Sequence, residues 1–156
     1  MKPNNVTRLL DARKIPYTAF ELPVEKLGAV QAAQILGVPA GQVYKTIVIT
    51  REGKGKPLLA VLPGPDEVDL KALARAVGEK KLQLPPERDA ERLTGLQAGG
   101  ISPLALLNRG FQVVLDESAR QHEEIYISGG QRGLNLRLPV TDLISLTQAT
   151  LAPISG

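Results

Sequence analysis

The chain has 156 residues, of which 43% are apolar and 22% charged, as expected of a single soluble domain long enough to bury a sizeable core. It has no cysteine and one histidine (His122), which excludes disulfides, thiolate catalysis, cysteine-based metal centres and any multi-histidine site. The net charge of +3 lies in the first half, where residues 1–78 hold 11 Lys/Arg against 7 Asp/Glu; that suits a polyanionic partner, while aromatics at 3% argue against a base-stacking module.

Asn4 or Asn5 can cap a first helix in which Val6, Leu9, Leu10 and Arg13 recur at helical spacing. Pro16 stops it, and residues 17–22 read as a short strand ending at Pro23. Residues 28–36 predict a short helix with Gly37 as its C-cap. Residues 42–50 (QVYKTIVIT) are rich in β-branched and aromatic side chains and predict the central strand. Val43, Lys45, Ile47 and Ile49 share one side of it, while Tyr44, Thr46 and Val48 share the other, so both faces are expected to be covered. Lys45 interrupts that pattern, because taking an ammonium out of water without a partner is costly. Either its head snorkels to solvent from the end of the buried run, or it points into a polar cavity.

Residues 51–56 form a polar turn that folds the chain back as an apolar run over 57–62, a β-hairpin with cations at its tip. Asp66 or Asp69 can cap a helix bearing Leu70, Leu73, Ala74 and Val77, closed by Gly78. Residues 80–84 suggest an edge strand, and Pro86 opens a charged helix that ends at Thr94-Gly95. Residues 98–103 are a loop of small residues, 112–115 a strand, and 124–128 and 134–138 two strands joined by a glycine-rich turn. Residues 141–146 read as a capped terminal helix. Hairpins with interspersed helices predict an α+β fold, one domain over residues 1–156, with a mixed and largely antiparallel sheet. No apolar leader opens the chain, and no window approaches roughly 18 continuous apolar residues, so a cytoplasmic protein without membrane contact is expected.

The familiar catalytic sets are missing. His122 sits in the polar run Arg120-Gln121-His122-Glu123-Glu124, so it reads as a surface residue, and no serine triad can be built on it. Two small-residue loops remain, Gly99-Gly100-Ile101-Ser102-Pro103 and Ser128-Gly129-Gly130-Gln131-Arg132-Gly133. Each reads either as a structural turn or as a row of free N–H groups able to hold an anion or a developing oxyanion. The second is not a phosphate loop: it lacks the Gly-Lys-Ser/Thr ending and lies between strands. A strand lysine with such loops can polarise and position a substrate without a side-chain nucleophile.

Val43-Tyr44-Lys45-Thr46, Gly99 to Pro103, and Ile127-Ser128-Gly129-Gly130-Gln131-Arg132-Gly133-Leu134, in this order and at these separations, resemble the YbaK family. These are aminoacyl-tRNA deacylases related to the editing domain of bacterial prolyl-tRNA synthetase. Each motif alone is weak, the three together are specific, and the resemblance runs from the first helix to about Ala149. It implies an α+β domain with a curved mixed sheet, and hydrolysis of amino acids wrongly esterified to tRNA. The family's lysine and threonine map to Lys45, as the catalytic residue, and Thr46. Its substrate-gripping loop maps to Gly99, Gly100, Ile101, Ser102 and Pro103, and its serine-glycine loop to Ser128, Gly129 and Gly130. The motifs are most similar to the branch that clears cysteine from tRNA(Pro), where the substrate's own thiol is thought to attack the ester.

Two departures bear on which amino acid is removed. Phe20, a substrate-side position, stands where that branch usually has tyrosine, and Asn135 stands where it often has aspartate. The resemblance implies no metal and no organic cofactor. Misacylated tRNA is the implied partner, with prolyl-tRNA synthetase a second one. Arg51, Lys54, Lys56 and Arg132 are the candidate phosphate contacts. The alternatives are a deacylase for alanyl or another small aminoacyl group, and a catalytically idle module that holds tRNA or the synthetase.

Overall fold

The computed structural model describes residues 2–53 and 55–156. In chain order its helices and strands are α1 (Asn5–Ala12), β1 (Thr18–Glu21), α2 (Ala29–Leu36), β2 (Tyr44–Arg51), β3 (Leu58–Pro63), α3 (Leu70–Val77), β4 (Leu82–Gln83), α4 (Glu87–Thr94), β5 (Gln112–Asp116), β6 (Glu124–Ser128), β7 (Leu134–Pro139), α5 (Val140–Thr147) and β8 (Thr150–Ala152). Short 3-10 turns occupy Ala40–Gln42, Pro103–Leu106 and Glu117–Gln121.

Local chemistry accounts for most of these boundaries. Asn4 caps α1 by accepting the Thr7 N–H, and Thr7 Oγ1 accepts the Asn4 N–H in return, each at 2.9 Å. Asp69 caps α3 by accepting the Ala72 N–H at 3.0 Å. Three helices end on glycines in the left-handed region, Gly37, Gly78 and Gly95, as their positions in the sequence predict.

Five strands form a mixed sheet in the order β4-β2-β3-β5-β8, and three form an antiparallel sheet in the order β1-β7-β6. β2 and β3 are the expected hairpin, with Lys45 opposite Leu62 and Tyr44 opposite Pro63. β3 runs parallel to β5, and β5 parallel to β8, while the remaining pairings are antiparallel. A single bridge, Val43 to Tyr126, joins the two sheets at the start of β2.

β3 is buried on both faces. Leu59 and Val61 enter the larger core with α1, β6 and β7, whereas Leu58, Ala60 and Leu62 pack beneath α3. Each buried Leu or Val among them contributes about 1.5–3 kcal/mol relative to exposure. β2 has the alternation read from the sequence, with Tyr44 and Val48 in one core and Ile49 in the other. Its middle departs from that reading: Lys45, Thr46 and Ile47 are only half-buried, because a cavity opens there.

The end of the chain is also corrected. α5 begins at Val140, after Pro139, with no side-chain cap, and it is not the last element. β8 follows it and extends the sheet beside β5, anchored where Asp116 Oδ1 accepts the N–H groups of Ile154 and Ser155. Among the described residues no helix is long and apolar enough to cross a membrane.

Candidate active site

The half-buried middle of β2 forms one wall of a cavity of about 490 Å³. The start of α2 and the loop before it form a second wall, through Leu27, Gly28, Ala29 and Ala32. Leu84, Pro85 and Ala90, on and before α4, form a third. On the fourth side the loop of residues 98–103 contributes Gly99 and Ile101, and the β6–β7 hairpin contributes Ser128, Gly133, Leu134 and Asn135. Lys26 and Glu87, both more than half exposed, pair at 2.7 Å along the rim and tie the loop before α2 to α4.

Lys45 does not simply snorkel. Its Nζ donates to the carbonyl of Gly64 at 3.1 Å, leaving the other ammonium hydrogens for a ligand. Gly64 is held in turn: its N–H donates to the Val43 carbonyl at 2.8 Å. A Cβ at this position would lie 2.7 Å from the Ala29 Cβ, so no other residue fits without moving α2. Sequence reasoning missed Gly64, although Pro63-Gly64-Pro65, directly after an apolar strand, is a signal for a constrained turn.

The two small-residue loops pack backbone to backbone. A Cβ on Gly100 would come within 2.8 Å of the Gln131 carbonyl carbon and 2.9 Å of the Arg132 nitrogen. Arg132 fastens the contact by donating from Nε to the Ala98 carbonyl at 2.7 Å. Asn4, besides capping α1, donates from Nδ2 to the Gly129 carbonyl at 2.9 Å. Three segments more than 25 residues apart are thereby clamped around one end of the cavity.

The expected residues divide. Lys45, Thr46, Gly99, Ile101 and Ser128 line the cavity together. Gly100, Gly129 and Gly130 are not in the lining: Gly100 spaces the two loops, while a Cβ on Gly129 would meet the Leu134 side chain and one on Gly130 would meet Val6 and Ala105. Ser102 is fully buried and caps a 3-10 turn by accepting the Leu104 N–H at 3.2 Å, and Pro103 is the first residue of that turn. Phe20 packs against Tyr126, with ring centroids 5.7 Å apart and the Arg137 guanidinium over its face, outside the cavity lining. Asn135, by contrast, is buried in the wall itself.

Among the described residues no side-chain hydroxyl is hydrogen-bonded to a basic side chain that could activate it, apart from Thr18 and Tyr126, which accept from Arg137 outside the cavity. Ser128 Oγ accepts the Gly130 N–H at 3.2 Å and makes no hydrogen bond to a basic side chain among the described residues. His122 lies edge-on to the Tyr44 ring, away from the cavity lining. The Tyr44 hydroxyl pairs with Ser118 Oγ at 2.7 Å. Burial raises its pKa; the Ser118 hydrogen bond works against that shift, while the Asp116 and Asp66 carboxylates reinforce it, so it stays a neutral phenol. Among the described residues there is no cluster of three or more side chains suited to holding a metal ion.

Of the candidate phosphate contacts, Arg51 is fully committed. Its guanidinium donates to the Lys56 carbonyl, to Gln112 Oε1 and to Glu79, pinning the hairpin tip to its neighbours. Lys56 is exposed, with its ammonium 5.8 Å from the centroid of the Phe111 ring. Among the described residues, the terminal nitrogens of Arg132 have no partner after its Nε bond to Ala98. Lys54 lies outside the described residues.

Residues 25–146 match the family model of the aminoacyl-tRNA editing domain. A protein of Enterococcus faecalis, provisionally named a Cys-tRNA(Pro)/Cys-tRNA(Cys) deacylase, EbsC, is 37% identical over 97% of this chain and 92% of its own length. The multifunctional Ser/Thr-tRNA deacylase ProXp-y of Escherichia coli is 27% identical over 81% of this chain and 78% of its own. Among solved structures, one provisionally described as a trans-editing enzyme for prolyl-tRNA synthetase superimposes with a TM-score of 0.80 at 26% identity, over 99% of both chains.

Proposed function

The chain belongs to the aminoacyl-tRNA editing domain family, and from that premise we propose that it is a trans-editing hydrolase of misacylated tRNA, with cysteinyl-tRNA(Pro) its leading substrate. The observation that carries this reading is the composition of the cavity wall. An ammonium with uncommitted hydrogens stands among small-residue loops, and among the described residues no cavity-lining hydroxyl is hydrogen-bonded to a basic side chain. Such a site lowers the barrier by stabilising charge on the ester and orienting its reacting groups.

In this mechanism Lys45 donates to the ester oxygen as negative charge develops, while Gly99 and Ile101 frame the acyl group. The cysteinyl thiol attacks the carbonyl carbon; the new C–S bond forms as the C–O bond to the ribose breaks, and the terminal tRNA hydroxyl leaves with the thiol's proton. Water then opens the thiolactone to free cysteine. A substrate without a thiol needs water as the first nucleophile, so slower deacylation of alanyl esters follows from the same geometry.

Residues 1–156 act as one editing domain in this reading. Lys56 and Arg132 are the first candidates for phosphate contacts, with Lys54 beside Lys56 in sequence. Arg51 supports the tip that carries them. Prolyl-tRNA synthetase is the proposed source of the charged tRNA, in keeping with the description of the structural neighbour.

The test is deacylation of tRNA(Pro) charged with cysteine, alanine or proline, and of tRNAs charged with serine or threonine. Fast release of cysteine from tRNA(Pro), with proline left in place, is the expected result. Equal inertness toward every ester, with tRNA still bound, would instead make the chain a binding module.

A further inference from the structure

The exposure of the cavity lining separates its interior from its mouth. Val43, Tyr44 and Val48 are buried inside it, whereas Lys26, Glu87 and Leu84 are exposed at the rim. Leu84 is 61% exposed, and every other apolar side chain of the lining is buried or half-buried in the walls. Local sequence accounts for its position. Leu82, two positions earlier on β4, is buried, but Pro85 has no N–H with which to continue the strand, and Pro85-Pro86 leads the chain from the sheet into α4. A leucine restricted by the proline after it thus keeps apolar surface in water at the mouth through which a ligand emerges.

The chemistry of the substrate decides what meets it. With the ester at Lys45, a cysteinyl or alanyl side chain is short and stays beside it, so the part that emerges is the adenosine that ends every tRNA. That nucleotide offers ribose hydroxyls, a phosphodiester and the face of a base. The first two are polar and suit Lys26, Glu87 or the N–H groups of the loops, whereas the base face is apolar and suits Leu84 with the half-buried Pro85. Among the described residues the one aromatic side chain in the lining is Tyr44, which at 2% exposure is no platform for a base. The rival is Val24, 83% exposed, which packs beside Gly133 but is outside the lining. We propose that Leu84 and Pro85 seat the terminal adenine of the tRNA, so that the domain holds the nucleoside by its base as well as by its ester. This rests on the deacylase reading above.

The experiment sets two esters against four proteins. Acceptor-stem RNA carrying cysteine, and ending either in adenosine or in a ribose without a base, is hydrolysed at subsaturating concentration by wild type, Leu84→Ala, Leu84→Trp and Val24→Ala. Wild type should prefer the ester with the base by about five- to tenfold, since a base laid on a leucine that is 61% exposed removes much of its apolar surface from water. Leu84→Ala should lose most of that preference while hydrolysing the base-free ester at the wild-type rate. Leu84→Trp should enlarge it, because bases stack on an indole. Val24→Ala should match wild type on both esters. Both positions are exposed, so unfolding temperatures should stay near wild type, and if Leu84→Ala fails to fold, Leu84→Trp reads the same ratio. An unchanged preference in a folded Leu84 variant, both esters slowing by the same factor, or the preference lost in Val24→Ala would overturn the seat. A Leu84→Ala protein that is wild-type on both esters but no longer co-elutes with prolyl-tRNA synthetase would overturn it too, and give the leucine to a protein partner. Wild type that hydrolyses both esters equally would remove the seat and leave the deacylase reading intact, whereas wild type inert toward both would overturn that reading and the seat with it.

Discussion

Lys45 hangs on a single acceptor, the Gly64 carbonyl, so it contributes little to folding and keeps donors for a ligand. Lys45→Ala should therefore change stability by no more than about 1 kcal/mol, since it removes one half-exposed charged hydrogen bond. Its single-turnover deacylation rate should fall by about 10²–10³, as when one oxyanion donor is lost. Lys45→Arg should recover only part of this, because a planar guanidinium cannot take the ammonium's position beside Gly64. A folded Lys45→Ala that deacylates at the wild-type rate would refute the mechanism. Tyr44 makes a different prediction. Its folded pKa lies above the ordinary 10.0, chiefly because it is buried. Below that value the phenol is neutral in both states and pH has no effect through it. Above it the unfolded chain ionises first, so stability drops as pH rises through the folded pKa. Tyr44→Phe should flatten the decline in unfolding temperature as pH rises above 10.0, at a neutral-pH cost of about 1 kcal/mol for the Ser118 hydrogen bond. Equal slopes in the two proteins would rule out the buried phenol as the cause.

Elements meet at the cavity through backbone contacts that only small residues allow. Gly64 lets α2 approach the β3 exit, and Gly100 lets the loop before the Pro103–Leu106 turn touch the β6–β7 loop. Gly64→Ala forces a Cβ to 2.7 Å from the Ala29 Cβ, so either α2 or the carbonyl that holds Lys45 must shift. A stability loss of about 1–3 kcal/mol is expected from this overpacking. Activity should fall further than the unfolded fraction accounts for, because the lysine's anchor moves. Gly41→Ala is the control: an added Cβ there meets nothing within 4 Å, and both stability and deacylation should stay near wild type. Comparable losses in the two variants would show that the Gly64 contact is not what positions Lys45.

On the scale of the whole molecule, the basic hairpin tip and the cavity lie on one strand. Arg51 lies six positions beyond Lys45 on β2, about 20 Å at the usual rise per residue. A tRNA whose 3′ ester occupies the cavity can thus reach the tip with phosphates of its acceptor stem rather than with its last nucleotide. Binding of tRNA should weaken as salt rises from about 50 to about 200 mM, and Lys56→Ala should reduce the slope of log K against log salt by nearly one. Titration of labelled tRNA at several salt concentrations measures both. An affinity indifferent to salt would place recognition in shape or base contacts instead.

Features of local origin were legible in the sequence. Asn4 and Asp69 cap because their own side chains reach the next turn, Gly37, Gly78 and Gly95 end helices because they tolerate the left-handed region, and β2 alternates because strands do. The family motifs also marked Lys45, Thr46, Gly99, Ile101 and Ser128, which do line one cavity. What sequence could not decide was direction and partnership across the fold. β8 has three residues and no signature of its own, and it is a strand only because β5 lies beside it and Asp116 receives the backbone just beyond it. Ser102 and Ser128 look alike in small-residue loops, yet a turn cap withdraws one and a strand end presents the other. Arg51 reads as a free cation until Glu79 and Gln112 arrive from distant elements to occupy it. Gly64 matters through its carbonyl, which folding brings to the Lys45 ammonium from 19 residues away. Tertiary packing decides such pairings, because a side chain's free partners are set by the neighbours that folding supplies and not by those adjacent in sequence.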